Sequence, residues 1–274
     1  MKSSEIIRFE LAYQARRPVN YLYFLVLALI AFFFSKLGIK GITEVSVQVK
    51  ENAPLIIYQL TSLLNLPLLL IASAVMGTLV IRDYDKGIAP LLFTSPISRK
   101  QYLTGRFIGG VLVLLITSLG ALIGAMAGEY FSGKPSAEML AFNPLVYLEA
   151  FMAITLPNLL FLAAMYFTGA ALSKRATVIY TQGILLVMLI SFLDEGVIET
   201  ASNLELATLF DFYTLQLINL QTKYWSAAEI NSQGIPLSTS FLINRLIFLG
   251  IGAGILALCF FRFQTTPPKT KGKS

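Results

Sequence analysis

Six long apolar runs, separated by short polar segments, constrain this fold more than any other feature of the sequence. They occupy residues 19–37, 54–81, 107–131, 145–172, 177–193 and 241–261. A helix of about 20 apolar residues is long enough to cross a bilayer, and 56% of the 274 residues are hydrophobic whereas 13% are charged. The sequence therefore predicts an all-α, polytopic integral membrane protein, in which residues 19–262 form one domain of six transmembrane helices.

The polar segment between the second and third runs sets the predicted orientation. Residues 82–106 carry five basic and two acidic side chains: Arg82, Lys86, Arg99, Lys100 and Arg106 against Asp83 and Asp85. Short loops rich in lysine and arginine stay on the cytoplasmic side of a membrane. We therefore expect segment 82–106 and both chain termini to face the cytoplasm.

The net charge of +6 follows the same asymmetry. With this topology the cytoplasmic side holds 15 basic and 4 acidic residues, and the opposite side holds the other 6 basic and 11 acidic residues. A basic chain can instead bind nucleic acid, but here the positive charge is sorted by membrane side. The lipid bilayer is therefore an expected partner, and nucleic acid is not.

The composition also excludes several kinds of chemical site. The single cysteine, Cys259, lies within an apolar run and the chain has no histidine, which removes disulfides and the usual thiolate or imidazole metal sites. Residues 128–135 approach the P-loop pattern, but Pro135 stands where a hydroxyl would hold Mg²⁺. We expect this chain to bind no cofactor and to have no enzymatic activity of its own.

The segments outside the six runs have patterns of their own. Residues 1–18 place Ile6, Phe9 and Tyr13 at helical spacing, which predicts an amphipathic helix in the membrane interface. Residues 196–240 form the largest outside segment. Within it, residues 204–220 are apolar but too short and interrupted to cross, which predicts a re-entrant or interfacial helix. Residues 263–274 form a polar, basic tail.

Three glycines in the third run are candidates for helix packing. Gly120, Gly124 and Gly128 recur every four residues. Small residues at this spacing clear one face of a helix for the close approach of another helix. The pattern predicts a tight helix contact, either inside the subunit or between subunits.

Segment 82–106 has the composition of a docking surface. Its apolar residues 88–93 stand between charged residues, and an exposed apolar patch with a charged rim is typical of a contact with protein or with lipid headgroups. Two helix starts are predicted downstream. Ser95 precedes Pro96, and Ser98 with Gln101 forms a capping box.

The same segment resembles the coupling loop of type-2 ABC exporter permeases. The resemblance rests on the charged cluster 82–86, Gly87, Thr94-Ser95-Pro96-Ile97-Ser98-Arg99, Tyr102 and Gly105. It departs from the family at Ala89-Pro90, which interrupts the helix that follows the glycine in many members. Residues 222–246 are similar to the permease region of bacterial proteins that fuse an ABC exporter domain to a metallo-aminopeptidase, although no H-E-x-x-H motif is possible without histidine.

This resemblance implies a permease subunit of an exporter in the bacterial cytoplasmic membrane. It implies a second permease subunit, as a homodimer or heterodimer, and a separate ABC ATPase subunit that hydrolyses ATP. The residues that it assigns to coupling with the ATPase are Arg82, Asp83, Asp85, Leu91, Leu92, Phe93 and Arg99.

Two other functions remain open from the residues alone. One is an intramembrane enzyme that uses Asp194, Glu195 and Arg245. Their predicted position at a membrane boundary favours solvated anchoring over catalysis. The other is a membrane assembly factor that transports nothing.

Overall fold

The described part of the chain folds entirely into helices and their connections. The structure, a computed structural model, describes residues 3–39, 48–88, 94, 97–135, 137–193, 203–234 and 237–264. Its helices are α1 (Ser3–Ala15), α2 (Pro18–Leu37), α3 (Pro54–Asp85), α4 (Arg99–Tyr130), α5 (Pro144–Ala150), a π-helical turn (Phe151–Thr155), α6 (Leu156–Ser173), α7 (Ala176–Phe192), α8 (Leu204–Thr208), α9 (Leu215–Thr222), α10 (Ala227–Ser232) and α11 (Thr239–Arg262).

Five helices within the described residues are long and apolar enough to cross a membrane. They are α2, α3, α4, the continuous unit Pro144–Ser173 and α11. This confirms the predicted all-helical, multi-pass membrane architecture in its coarse form. The fifth predicted run coincides with α7, which has 17 residues and lies at the lower limit of about 17–25 residues for a span. The total of six spans therefore stays a prediction.

Helix α3 is the centre of the bundle. In its most apolar window 72% of the residues are buried, whereas the corresponding share for α2 is 11%. Helices α4, α6 and α7 pack against α3, and α11 packs against the outer side of α6. Helix α2 is peripheral, and its main neighbour is α4. We call the end of α3 at Asp85 the loop end of the bundle and the end at Pro54 the far end.

The three glycines of α4 lie against the backbone of α2. A Cβ atom added to any of them would collide with a backbone carbonyl oxygen of α2. Those carbonyls belong, in the order of the glycines, to Phe24, Ala28 and Phe32. Both series advance by four residues, so α2 and α4 run parallel in constant register. The contact lies within the subunit, which is the first of the two predicted alternatives.

The stripe of α1 that packs against the bundle includes one residue of the predicted apolar face. The buried residues of this helix are Ile6, Glu10 and Gln14, whereas Phe9 is 56% exposed and Tyr13 is half-buried. The face of α1 that packs on the bundle is therefore partly polar, because Glu10 pairs with arginines of α3 and α4. The interfacial position of this amphipathic helix stays a prediction.

Residues 204–220 form two short helices instead of the single helix that was predicted. Asp211 lies between α8 and α9, and its carboxylate accepts hydrogen bonds from the backbone N–H groups of Thr214 at 2.8 Å and Leu217 at 3.1 Å. These bonds satisfy amides at the start of α9, so the break between the helices is itself stabilised.

The side chain of Arg245 is buried, so its prediction as a solvated boundary anchor is wrong. Its guanidinium donates to Oδ1 of Asn158 at 2.7 Å and, through Nε, to Oδ1 of Asn244 at 2.8 Å. It also donates to the carbonyl of Phe212 at 3.4 Å. Because these acceptors replace water, the cation serves to hold the α8–α9 connection against α6 and α11. The other two candidate residues of an intramembrane enzyme, Asp194 and Glu195, lie outside the described residues.

Segment 82–106 is more helical than its predicted boundaries imply. Helix α3 continues through Asp85 and α4 begins at Arg99, so the connection between the two helices is 86–98. The predicted capping box is confirmed: the Ser98 hydroxyl accepts from the N–H of Gln101, and the Gln101 side chain accepts from the N–H of Ser98. The Ser95–Pro96 start signal and most of the apolar patch, residues 89–93, lie outside the described residues.

Replacing Gly124 with leucine is expected to lower the free energy of unfolding by about 1–3 kcal/mol, because overpacking forces α2 and α4 apart. The matched control is Gly254→Leu on α11, where an added Cβ meets nothing within 4 Å. Denaturant titration in detergent measures both variants. An equal decrease in the free energy of unfolding of the two variants would contradict a tight contact at Gly124.

Single cysteines at Lys100 and Lys223, in a Cys259→Ala background, are expected to react with an impermeant thiol reagent from opposite sides of the membrane. Both lysines are exposed and lie near opposite ends of the bundle. Labelling of both cysteines from the same side would overturn the predicted topology.

Candidate functional site: an ion network beside the loop

A cluster of four charged side chains lies at the loop end, where three helices meet. Helix α1 contributes Glu10, the last turn of α3 contributes Arg82 and Asp83, and the second turn of α4 contributes Arg106. Tyr102, one turn before Arg106, completes the cluster. We call these five residues the ion network.

Glu10 is the acceptor that joins α1 to the other two helices. Its two carboxylate oxygens accept hydrogen bonds from the two terminal nitrogens of Arg82, at 3.2 and 2.8 Å. One of these oxygens also accepts a hydrogen bond from Nη1 of Arg106. The side-chain amide of Gln14 donates to the other oxygen at 2.9 Å. Glu10 itself is fully buried. Helix α1 is therefore fixed to the bundle through an acidic side chain.

Asp83 is the second acceptor and joins α3 to α4. Arg106 donates Nη2 to both of its carboxylate oxygens, at 2.8 and 2.7 Å. The Tyr102 hydroxyl donates to Oδ2 of Asp83 at 2.7 Å. Each carboxylate of the network is thus bonded to at least two donors from other positions in the chain.

The network is electrically neutral, which explains how it persists inside the protein. Two arginines balance two carboxylates, and the side chains are between 0% and 9% exposed. The desolvation of buried charges is compensated only when geometry and hydrogen bonding are good. Loss of one member leaves an uncompensated charge, so the three helices depend on the complete set.

The predicted coupling residues fall into two groups by exposure. Arg82 and Asp83 belong to the ion network, and Asp83 is 2% exposed, so its carboxylate is not part of a surface. Asp85 and Arg99 are exposed, as is Ile88 at 40%. Leu91, Leu92 and Phe93 lie outside the described residues, and the coupling role of the whole set stays a prediction.

The end of α11 is held close to the same place. Arg99 donates to the carbonyl of Phe263 at 3.1 Å, and Lys174 donates to the carbonyl of Gln264 at 2.6 Å. The rings of Tyr102 and Phe263 stack with centroids 6.0 Å apart. Burial lowers the pKa of Lys174 below its usual value. The loop end therefore gathers α1, α3, α4, the α6–α7 turn and α11.

Sequence reasoning missed Glu10, Tyr102 and Arg106 as members of one site. The available signal was the spacing of Ile6, Glu10 and Gln14 by four residues, which puts an acid and an amide on one helix face with an apolar residue. Nothing in that spacing identifies the partners, which lie 72 and 96 residues away. Among the described residues, no group of three or more metal-ligating side chains occurs.

Replacing Glu10 with glutamine is expected to destabilise the protein by about 3–5 kcal/mol, because Arg82 and Arg106 then share one carboxylate in a buried site. Glu5→Gln is the matched control, since Glu5 is on the same helix and exposed, and surface changes stay within about 0.5 kcal/mol.

A double-mutant cycle of Glu10→Gln with Arg82→Gln separates pairing from local packing. The double variant should be more stable than the sum of the two single losses predicts. Strict additivity would show that Glu10 and Arg82 do not interact.

Comparisons with known proteins add no family assignment. Neither a scan against protein-family models nor a search of curated proteins finds a match to this chain. The function is therefore argued from the residues and their geometry.

Proposed function

We propose that this chain is the transmembrane permease subunit of an ABC-type exporter in the bacterial cytoplasmic membrane. It acts with a second permease subunit and with a separate ATPase subunit that hydrolyses ATP. In this proposal six helices span the membrane, both termini are cytoplasmic, and the loop end faces the ATPase. The motif resemblance in segment 82–106 supports this family, and the ion network supplies the physical argument.

The observation that carries the proposal is the position of the ion network next to the connection 86–98. Asp83 lies within one turn of the end of α3, and Arg106 lies two turns after the start of α4. Arg82 and Arg106 both bond to Glu10 on α1. A displacement of the loop by a partner would therefore act on α1, α3 and α4 together, as coupling to an ATPase requires.

The exposed residues beside the network suit a protein contact. Asp85, Lys86 and Arg99 are exposed charges, and they border the apolar residues 88–93 of the sequence. An apolar centre with a polar rim is the usual anatomy of an interface. Buried Asp83 has a different role in this proposal, because it transmits the displacement through Arg106 and does not touch the ATPase.

Replacing Leu92 with aspartate is expected to weaken recovery of the ATPase on the tagged permease by roughly tenfold, since truncating an apolar anchor costs more than about 1 kcal/mol. The change lies outside every predicted span, so membrane insertion should persist. The measurement is the amount of ATPase that co-purifies and the ATP hydrolysis of the complex.

The matched control is Leu206→Asp, which introduces the same charge on α8 at a leucine that is 60% exposed. Leu206 lies in the outside segment 196–240, so the control should leave ATPase recovery unchanged. Equal recovery with Leu92→Asp and wild type would eliminate the docking role. Absence of any nucleotide-binding partner from the purified wild type would favour the assembly factor instead.

A further inference from the structure

A groove opens between α1, α2 and α4 on the outer surface of the bundle. Its volume is about 480 Å³, within the range of about 300–1,000 Å³ for small-molecule sites. Its inner wall is apolar and includes Leu11 of α1, Phe24 of α2, and Val113 and Ile116 of α4. The groove is therefore suited to an aliphatic chain.

The sequence of α4 explains where the groove begins. Gly120, Gly124 and Gly128 hold α2 and α4 in close contact. One step of four residues earlier on the same face stands Ile116, which is 58% exposed. A branched side chain cannot enter the glycine contact, so the two helices separate there. The groove fills this separation on the side toward the loop end.

The mouth of the groove is polar, and it lies beside a basic turn of the chain. Gln14, Asn20 and Ala15 line it, and Asn20 donates to the side chain and the carbonyl of Gln14 at 3.0 and 2.8 Å. Arg16 and Arg17 form the turn between α1 and α2, next to Ala15 of the groove. Neither forms a salt bridge with any described residue, and the guanidinium of Arg17 lies over the ring of Tyr13, 5.9 Å from its centroid.

The start of α2 adds a further positive contribution at the same mouth. The N-cap residue, Arg17, makes no side-chain capping bond, and Pro18 follows at the first helical position. The backbone amides and dipole at a helix N-terminus favour negative charge. The first turn of α2 and the two arginines therefore attract the same kind of group.

We propose that this groove binds an anionic phospholipid, with one acyl chain against Phe24 and Ile116 and the headgroup phosphate beside Arg16 and Arg17. The groove has an apolar interior and a polar mouth beside the basic α1–α2 turn, and α2 starts at that mouth and runs into the membrane. Anionic lipids are attracted to basic side chains next to a span by charge, and the apolar wall holds the chain.

An apolar groove next to a basic turn suits a lipid, with its acyl chain and charged headgroup, better than a neighbouring protein chain. Tyr21, Leu22 and Leu25 of α2 are between 52% and 63% exposed, so the surroundings of the groove are apolar and open along the helix. A polar mouth beside a basic turn, at one end of an apolar cleft, matches a headgroup joined to an acyl chain. The proposal is independent of any ATPase partner.

A fluorescence experiment in vesicles tests the site. Tyr21, which lines the groove, is replaced by tryptophan, and the natural Trp225 is replaced by phenylalanine, so that one tryptophan reports on the groove. The protein is reconstituted in phosphatidylcholine with a minor fraction of acyl-brominated phosphatidylglycerol, or with the same fraction of acyl-brominated phosphatidylcholine. Brominated chains quench tryptophan on contact.

Stronger quenching by the brominated phosphatidylglycerol is the expected result. The double change Arg16→Gln and Arg17→Gln should reduce the preference for this lipid by about fivefold per arginine, and raised salt should reduce it as well. Arg175→Gln, at another exposed basic residue of the loop end, is the matched control and should leave the preference unchanged. Ala15→Phe, which fills the groove, should remove the excess quenching.

Two results would overturn the proposal. Equal quenching by the two brominated lipids would show that the groove contacts ordinary boundary lipid and has no site for an anionic headgroup. Quenching by neither lipid, together with oxidative cross-linking of Tyr21→Cys into dimers in the Cys259→Ala background, would show that a second copy of the chain covers the groove.

Discussion

Pairing between two arginines and two carboxylates at the loop end is the interaction on which the rest of this structure depends. Helix α1 has an inward face that is polar at Glu10 and Gln14, so apolar burial alone does not hold it. Its attachment comes from Arg82 and Arg106. Because the set is neutral and its acceptors are satisfied, it tolerates burial.

The length of α3 and α4 explains how the charges of the ion network are accommodated in a membrane protein. Helices α3 and α4 have 32 residues each, which at about 1.5 Å per residue is roughly 48 Å, longer than a hydrocarbon core of about 30 Å. Arg82 is close to one end of α3 and Arg106 is close to the matching end of α4. The charges are therefore buried in protein near the membrane boundary, where the cost of desolvation is lower than at the bilayer centre.

The parts of the fold that follow local rules were predictable from the sequence. The apolar runs, the capping box of Ser98 and Gln101, and a close contact at Gly124 depend on residues a few positions apart. The partner of Gly124 was not predictable, because Ala28 and its neighbours on α2 read as ordinary apolar span residues. The role of Arg245 depends on Asn158 and on a carbonyl of the α8–α9 connection, and no local pattern brings these together.

The spacing of the contacts along the chain has a consequence for biosynthesis. Glu10 reaches Arg106 across 96 residues, and the carbonyl of Ala28 meets Gly124 at the same separation. At about 5–20 residues per second, the ribosome needs roughly 5–20 s to make that length. During this interval α1 and α2 have left the ribosome but lack α4. Arg82 of α3 is made earlier, 72 residues after Glu10, so this carboxylate pairs first with α3. The emergence of α4 then completes both the ion network and the glycine contact, which sets the order in which the first half of the bundle assembles.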